Sequence, residues 1–171
     1  MQNFEVVSTV AGGYARIAGY ERFSGKTSPS SASFSLIQIA SFDNTPTLGQ
    51  TLTGFTSGAT GVIIALGSNY LILTKVVGVF TNTEVVKVGG TTIGTAVPIT
   101  TILMSIQTAQ YLQAAADNYR ADIAAVPGSG AVRGVVAHIV SGSDVVYAFR
   151  NNAGGTAVDL YKSTTSGWSQ V

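Results

Sequence analysis

Cysteine and histidine are nearly absent from this sequence, and their scarcity removes several kinds of active site. The 171 residues contain no cysteine and a single histidine, His138. Without cysteine there is no disulfide framework and no thiolate metal site, and one histidine leaves too few ligands for a zinc site of the usual kind. No Gly-x-Ser-x-Gly elbow accompanies His138 to suggest a hydrolase triad. We therefore interpret His138, which lies in an apolar run, as a strand residue at a sheet face or a subunit contact.

Charge is the second shortage. Lysine, arginine, aspartate and glutamate together make up 10% of the chain, where about a quarter is typical. The formal net charge is +1 at pH 7, so no strongly basic face is available to bind nucleic acid through counterion release. Because hydrophobic residues make up 46%, the surface must consist largely of small polar residues and glycine. This composition favours a protein that buries much of its exterior against partners.

Long apolar runs are also missing. None approaches the roughly 20 residues that a membrane-spanning helix needs. Residues 1–13 lack a basic segment followed by a long apolar one, so we expect no secretory signal peptide there. The sequence therefore predicts no membrane span.

Two features that could carry chemistry are incomplete. Gly25-Lys26-Thr27 resembles the end of a phosphate-binding loop, but Gly19 lies one residue too far upstream to be the first glycine of that loop. We interpret the motif as a glycine turn with a surface lysine. The eight acidic residues are scattered, so a carboxylate pair of the kind that hydrolyses glycosides exists only if folding brings two together. The sequence predicts no catalytic residue, no cofactor and no metal.

Residues 34–104 carry the pattern of a small β-barrel or sandwich. Short runs of β-forming residues alternate with turns rich in glycine and asparagine. Gly67-Ser68-Asn69 and Gly89-Gly90 are the clearest hairpin signals. We predict strands at residues 34–42, 50–54, 61–66, 70–76, 84–88 and 92–97.

Residues 105–126 change character and predict one α-helix. The segment is rich in alanine and other helix formers. Ser105 is the predicted N-cap, and Pro127-Gly128 ends the helix. Three- and four-residue spacing predicts one apolar stripe, formed by Ile106, Ala109, Leu112, Ala116, Tyr119 and Ile123.

Residues 131–171 predict an antiparallel meander of three to four strands. Strands are expected at residues 132–140, 145–150 and 157–162, and a fourth begins at Gly167. A fourth strand that has only begun leaves one edge of the sheet unpaired. We expect another chain, or a longer form of this one, to complete the sheet.

Residues 1–33 are broken up by glycine and serine and predict an extended interaction arm with short strand pieces. Aromatic side chains in such an arm and at strand ends more often anchor subunit contacts than bind sugars. The predicted interface residues are Tyr14, Arg16, Tyr20, Arg22, Phe23 and Trp168. If the arm exchanges onto a neighbouring subunit, its removal abolishes assembly and leaves the β-module folded.

Several stretches resemble the tail hub or nozzle proteins of short-tailed bacteriophages. Residues 12–25 (GGYARIAGYERFSG), followed by Ser28-Pro29-Ser30, are similar to the opening of that family, which precedes the first blade of a β-propeller. Residues 147–157 (YAFRNNAGGTA) and 161–168 (YKSTTSGW) are similar to a blade of such proteins. Residues 56–61 (TSGATG) look like the small β-modules inserted in many phage virion proteins. The resemblance implies a mainly β protein whose last part is a propeller-like blade.

The resemblance also implies a function. The chain is expected to be a structural protein of the phage virion, one subunit of a homo-oligomeric nozzle or hub ring in the tail. Its partners would be the adaptor and fibre proteins, and viral DNA would pass through the ring only transiently. A capsid decoration or fibre-attachment protein is the structural alternative, and a tailspike or receptor-binding protein is the second.

Overall fold

The computed structural model describes residues 4–6, 14–16 and 23–171. Within them the chain is mainly β, with one α-helix, α1 (Ser105–Ala121), and one 3-10 turn (Pro29–Ser31). The strands are β1 (Phe4–Val6), β2 (Tyr14–Arg16), β3 (Ser35–Phe42), β4 (Thr51–Gly54), β5 (Thr60–Leu66), β6 (Tyr70–Val77), β7 (Val85–Val88), β8 (Thr91–Val97), β9 (Ser129–Val140), β10 (Ser143–Asn151), β11 (Val158–Thr164) and β12 (Gly167–Gln170). The first two strands form a short antiparallel ladder in which Phe4 pairs with Arg16.

Strands β3 to β8 close into a six-stranded antiparallel barrel in the order β3-β6-β5-β4-β7-β8. The predicted β-module is confirmed, and each predicted strand bound lies within one residue of the observed one. Gly89 and Gly90 connect β7 to β8 with φ values of 54° and 88°. A two-residue type I′ hairpin needs positive φ at both positions, which glycine adopts without strain.

All six barrel strands contribute to one apolar core. Because side chains alternate along a strand, Leu71 and Leu73 of β6 point into the barrel together. Ile72 between them belongs to the outer face and is still fully buried, because α1 packs against β5 and β6. The core residues are Ile39, Leu52, Ile63, Leu71, Leu73, Val86, Ile93 and Ala96.

Helix α1 does not pack through the predicted apolar stripe. Ile106 is 63% exposed and Leu112 is 45% exposed, whereas Ala115 is the buried residue of the helix. The Tyr111 hydroxyl lies 3.0 Å from the Tyr70 hydroxyl. The centroid of the Tyr111 ring lies 5.7 Å from the centroid of the Phe34 ring. The predicted stripe is wrong for Ile106, Ala109 and Leu112, which are exposed, whereas Ile123, beyond the end of the helix, is buried. The packed face of the helix is set by a small alanine, which allows close approach, and by the tyrosine pair, which apolar spacing does not reveal.

The ends of α1 also differ from the prediction. Ser105 is the first helical residue and Met104 is the N-cap, whose backbone N–H donates to Gln107 Oε1 at 2.9 Å. Gln107 thus accepts one of the hydrogen bonds of a capping box, although the N-cap residue is neither serine nor threonine. The helix ends at Ala121, five residues before the predicted end, and Asp122 occupies the C-cap.

Strands β9 to β12 form a second antiparallel sheet with the neighbour order β12-β11-β10-β9. This is the predicted meander, and its fourth strand is formed. The propeller-blade expectation is wrong: the sheet accompanies a closed barrel, whereas a propeller arranges several such sheets radially around a channel. Its small core consists of Val126, Ala148 and Tyr161, with Trp168 packed against it.

Candidate functional site

The most prominent exposed feature is the outer edge of the second sheet. Strand β9 is 12 residues long and pairs on one side with β10. No strand of the described chain pairs with its other side. Its outward backbone N–H and C=O groups therefore form a template to which another strand can add.

Apolar side chains project from both faces of β9. Val135 and Ile139 lie on one face, and Val136 and Val140 lie on the other, because side chains alternate along a strand. Val135 is 64% exposed, Ile139 is 66% exposed and Val136 is 50% exposed. We call these four residues, together with Val132, the β9 edge surface. A strand added at this edge would meet apolar side chains above and below it.

The β9 edge surface has few of the devices that usually keep sheet edges apart. Proteins protect exposed edges with lysine, proline, bulges or short strands. Strand β9 is long and contains neither lysine nor proline, and its pairing with β10 is irregular only around Arg150, outside residues 134–140. Its one cation, Arg133, donates from Nε to Asn151 Oδ1 of its own sheet at 3.3 Å. His138 is exposed on the same strand, where its Cα pairs with that of Val145. Electrostatic repulsion between copies would therefore be small.

Sequence reasoning placed the open edge at the other end of this sheet. It predicted an unpaired edge beside the strand that begins at Gly167, and β12 is indeed an edge, but only four residues long. The longer β9 edge was missed. A signal was present, because residues 132–140 are apolar at both alternating positions, as in a strand covered on two faces.

Two of the six predicted interface residues come together. The Phe23 and Trp168 ring centroids are 6.3 Å apart, and the rings meet edge to face at 79°. The indole Nε1 of Trp168 is buried without a hydrogen-bond partner in the described part of the chain. Tyr14 and Arg16 are described only as backbone in β2, and Tyr20 and Arg22 lie outside the described residues.

One buried carboxylate organises the loops at one end of the barrel. Thr81 N–H donates to Glu84 Oε1 at 2.6 Å, Ser57 N–H donates to Oε2 at 3.0 Å, and Thr56 N–H donates to Oε2 at 3.2 Å. The Ser57 hydroxyl adds a further hydrogen bond at 2.9 Å. Glu84 therefore ties the turn after β4 to the loop before β7. No local sequence motif predicts this role, because Thr56 and Ser57 lie far from Glu84 in sequence.

The protonation of Glu84 follows from these contacts. Burial by itself would raise the pKa of this carboxyl, but the hydrogen bonds from Ser57, Thr81 and Thr56 together outweigh it. The pKa is therefore lower than its ordinary value of 4.5. A carboxylate held in its charged form by backbone donors is a structural anchor, since it is not poised to exchange protons near neutral pH.

The described residues do not form a metal-binding cluster. They contain no group of three or more histidine, cysteine, aspartate or glutamate residues able to hold a metal ion. The hydrogen bond between the Tyr111 and Tyr70 hydroxyls, together with burial, raises the pKa of Tyr111 to about 12, so this hydroxyl stays protonated at neutral pH. In the same residues, no helix is both long and apolar enough to span a bilayer.

No protein-family model matches the chain, and neither a curated protein nor a solved structure matches it.

Proposed function

We propose that this chain is a structural subunit of a bacteriophage tail ring and that neighbouring copies bind at the β9 edge surface. The single observation that carries the assembly part of the proposal is the long, unprotected and apolar edge strand. The phage tail part rests on the sequence resemblance of residues 12–25 and of the segments from Tyr147 to Trp168.

Addition of a strand supplies both affinity and register. Main-chain hydrogen bonds give the affinity, and side chains at alternate positions decide which segment fits. Covering Val135, Ile139 and Val136 removes apolar surface from water at the same time. The low charge of the chain supports a neighbouring copy as the occupant, because two copies of β9 bring no acidic or lysine side chains together.

A structural role also agrees with the remaining groups. Glu84 is committed to backbone donors, and His138 is exposed on the edge strand with no metal-binding cluster in the described residues. A tail component of this kind works through geometry: rigid β-modules hold the positions of their neighbours around the channel. Such a subunit depends on exposed strand edges that contact its neighbours, and it does not require a reactive group.

The test is sedimentation velocity over a range of protein concentrations. The wild-type chain should show a sedimentation coefficient that rises with concentration. Val136→Lys, which places a charge on the edge, should remain monomeric at every concentration. Val79→Lys is the matched control, because Val79 is also exposed but lies in a loop of the barrel.

Two results would overturn the assembly proposal. One is a wild-type chain that remains monomeric at all concentrations. The other is equal loss of association in Val136→Lys and Val79→Lys, which would mean that added charge in general, and not charge at β9, opposes contact.

A further inference from the structure

A polar cleft of about 270 Å³ lies where the barrel, α1 and the second sheet meet. The segment after Phe23 contributes Lys26 and Thr27, and β6 contributes Lys75. The end of α1 contributes Tyr119 and Asp122, and the turn between β11 and β12 contributes Thr165. The cleft thus contains two ammonium groups, three hydroxyls and one carboxylate.

Lys75 is held in a fixed position in this cleft. Its Nζ donates to Asp122 Oδ2 at 2.6 Å and to the Asn118 carbonyl oxygen at 3.1 Å. It also lies 5.2 Å from the centroid of the Tyr119 ring. The backbone φ of Lys75 is 51°, in the left-handed region that residues other than glycine seldom occupy. Strain of this kind is concentrated at binding and catalytic sites.

Lys26 is positioned by a glycine turn. Gly25 has φ 88°, and a Cβ at this position would overlap the Thr164 carbonyl oxygen. Only glycine therefore lets this turn lie against the β11–β12 turn, which brings Lys26 beside Thr165. Among the described residues, no acid or hydrogen-bond acceptor pairs with the Lys26 ammonium group. The cleft consequently carries one positive charge in excess.

We propose that this cleft binds a small oxyanion, a phosphate or a carboxylate. Lys26 supplies the free charge, and the hydroxyls of Thr27, Thr165 and Tyr119 supply hydrogen-bond donors. Gly25-Lys26-Thr27 is then a phosphate-type motif on a different scaffold. The 3-10 turn Pro29–Ser31 follows it in place of an α-helix, and the anion meets side chains in place of a glycine-rich backbone cradle. The inference does not depend on assembly at the β9 edge surface.

The size and charge of the cleft limit its ligand. Its volume is slightly below the roughly 300–1,000 Å³ of typical small-molecule pockets, so it fits one small group. Two ammonium groups and one carboxylate leave a single positive charge, which a singly charged anion balances. The carboxylate of an acidic sugar carries this charge, and free phosphate is a mixture of singly and doubly charged anions near neutral pH. Both present anionic oxygens to the lysine and the hydroxyls.

The test is an NMR titration of the full chain with sodium phosphate, sodium glucuronate and uncharged glucose at constant ionic strength. Saturable shifts of the Lys26, Thr27 and Thr165 amides are expected with at least one anion and not with glucose. Phosphate alone would assign an inorganic or phosphoryl ligand, and glucuronate alone would assign an acidic saccharide.

Substitutions at two lysines test whether anion binding depends on Lys26. Lys26→Gln should weaken binding roughly tenfold or more, because a charge-assisted hydrogen bond is lost, and Lys26→Arg should retain it. Lys87→Gln is the matched control, since Lys87 lies over the Phe55 ring of the barrel, with its Nζ 3.9 Å from the ring centroid. Thermal unfolding should be unchanged in Lys26→Gln. No saturable shift with either anion, shifts with glucose, or equal weakening in Lys26→Gln and Lys87→Gln would overturn the proposal.

Discussion

Glu84 is the clearest case in this molecule of one side chain that joins two loops. Three backbone N–H groups and one hydroxyl from two separate loops converge on its carboxylate. Hydrogen bonds to a charged acceptor contribute more to stability than neutral ones, so this carboxylate holds the two loops together. The residue also limits its surroundings: a Cβ at Gly54 would come within 2.6 Å of Glu84 Oε2.

Replacing this carboxylate should destabilise the barrel. Glu84→Gln removes the charge and directs amide N–H groups towards other donors, so we expect a loss of about 1.5–3 kcal/mol in the free energy of unfolding. Urea unfolding measures the change. Asp43→Asn is the control, because Asp43 is exposed and should change stability by less than about 0.5 kcal/mol. Equal losses of unfolding free energy in the two variants would contradict the role of Glu84 in stabilising the barrel.

The same residue predicts a pH dependence. Because the folded-state pKa of Glu84 is below its ordinary value of 4.5, its stabilising contribution is complete above that value and is lost as the pH falls through the lowered pKa. The difference in unfolding free energy between wild type and Glu84→Gln should therefore shrink on acidification. Urea unfolding at a series of acidic pH values tests this, and a difference that grows instead would contradict it.

At the level of elements, the burial of residues in α1 shows which face of the helix packs against the barrel. Ala115 is fully buried, whereas Leu112 is largely exposed. Ala115→Leu should cost about 1–3 kcal/mol by overpacking the contact with the barrel, and Leu112→Gln should change stability by less than about 0.5 kcal/mol. Thermal or urea unfolding distinguishes the two. The reverse order would restore the apolar stripe predicted from the sequence.

Local chemistry explains which elements were predictable. The barrel strands follow from β-forming runs and from turns such as Gly89-Gly90, whose backbone demands are readable within a few residues. The packed face of α1 was not readable, because it depends on a tyrosine hydroxyl 41 positions away from its partner. The β9 edge was only partly readable: apolar residues at both alternating positions of residues 132–140 indicate two faces to be covered, but they do not reveal which edge of the sheet lacks a neighbour.

At the level of the whole molecule, the proposed assembly would use two contacts between copies: the N-terminal arm and the β9 edge surface. Ser24 and Pro29 are buried within the described structure, so a cut after residue 22 is cleaner than one after residue 33. A chain lacking residues 1–22 should remain folded and associate only through β9, giving smaller assemblies than the full chain. Light scattering after size-exclusion chromatography measures this, and assemblies of full size without the arm would exclude the arm as a contact.

The proposed place in a phage tail is a separate statement about the whole molecule. Antibodies raised against the purified chain should label the tails of phage particles that carry it, as seen by negative-stain electron microscopy. Labelling of the capsid would favour the decoration-protein alternative. Labelling of the fibres would favour a fibre-attachment protein.

The most direct measurement of the central claim is amide hydrogen exchange along β9 at low and high protein concentration. The β9 amides that point away from β10 should exchange rapidly in dilute monomer and become protected when copies associate, while α1 amides are unchanged. Association without added protection in residues 129–140 would contradict it, because the subunits would then be joined by another surface.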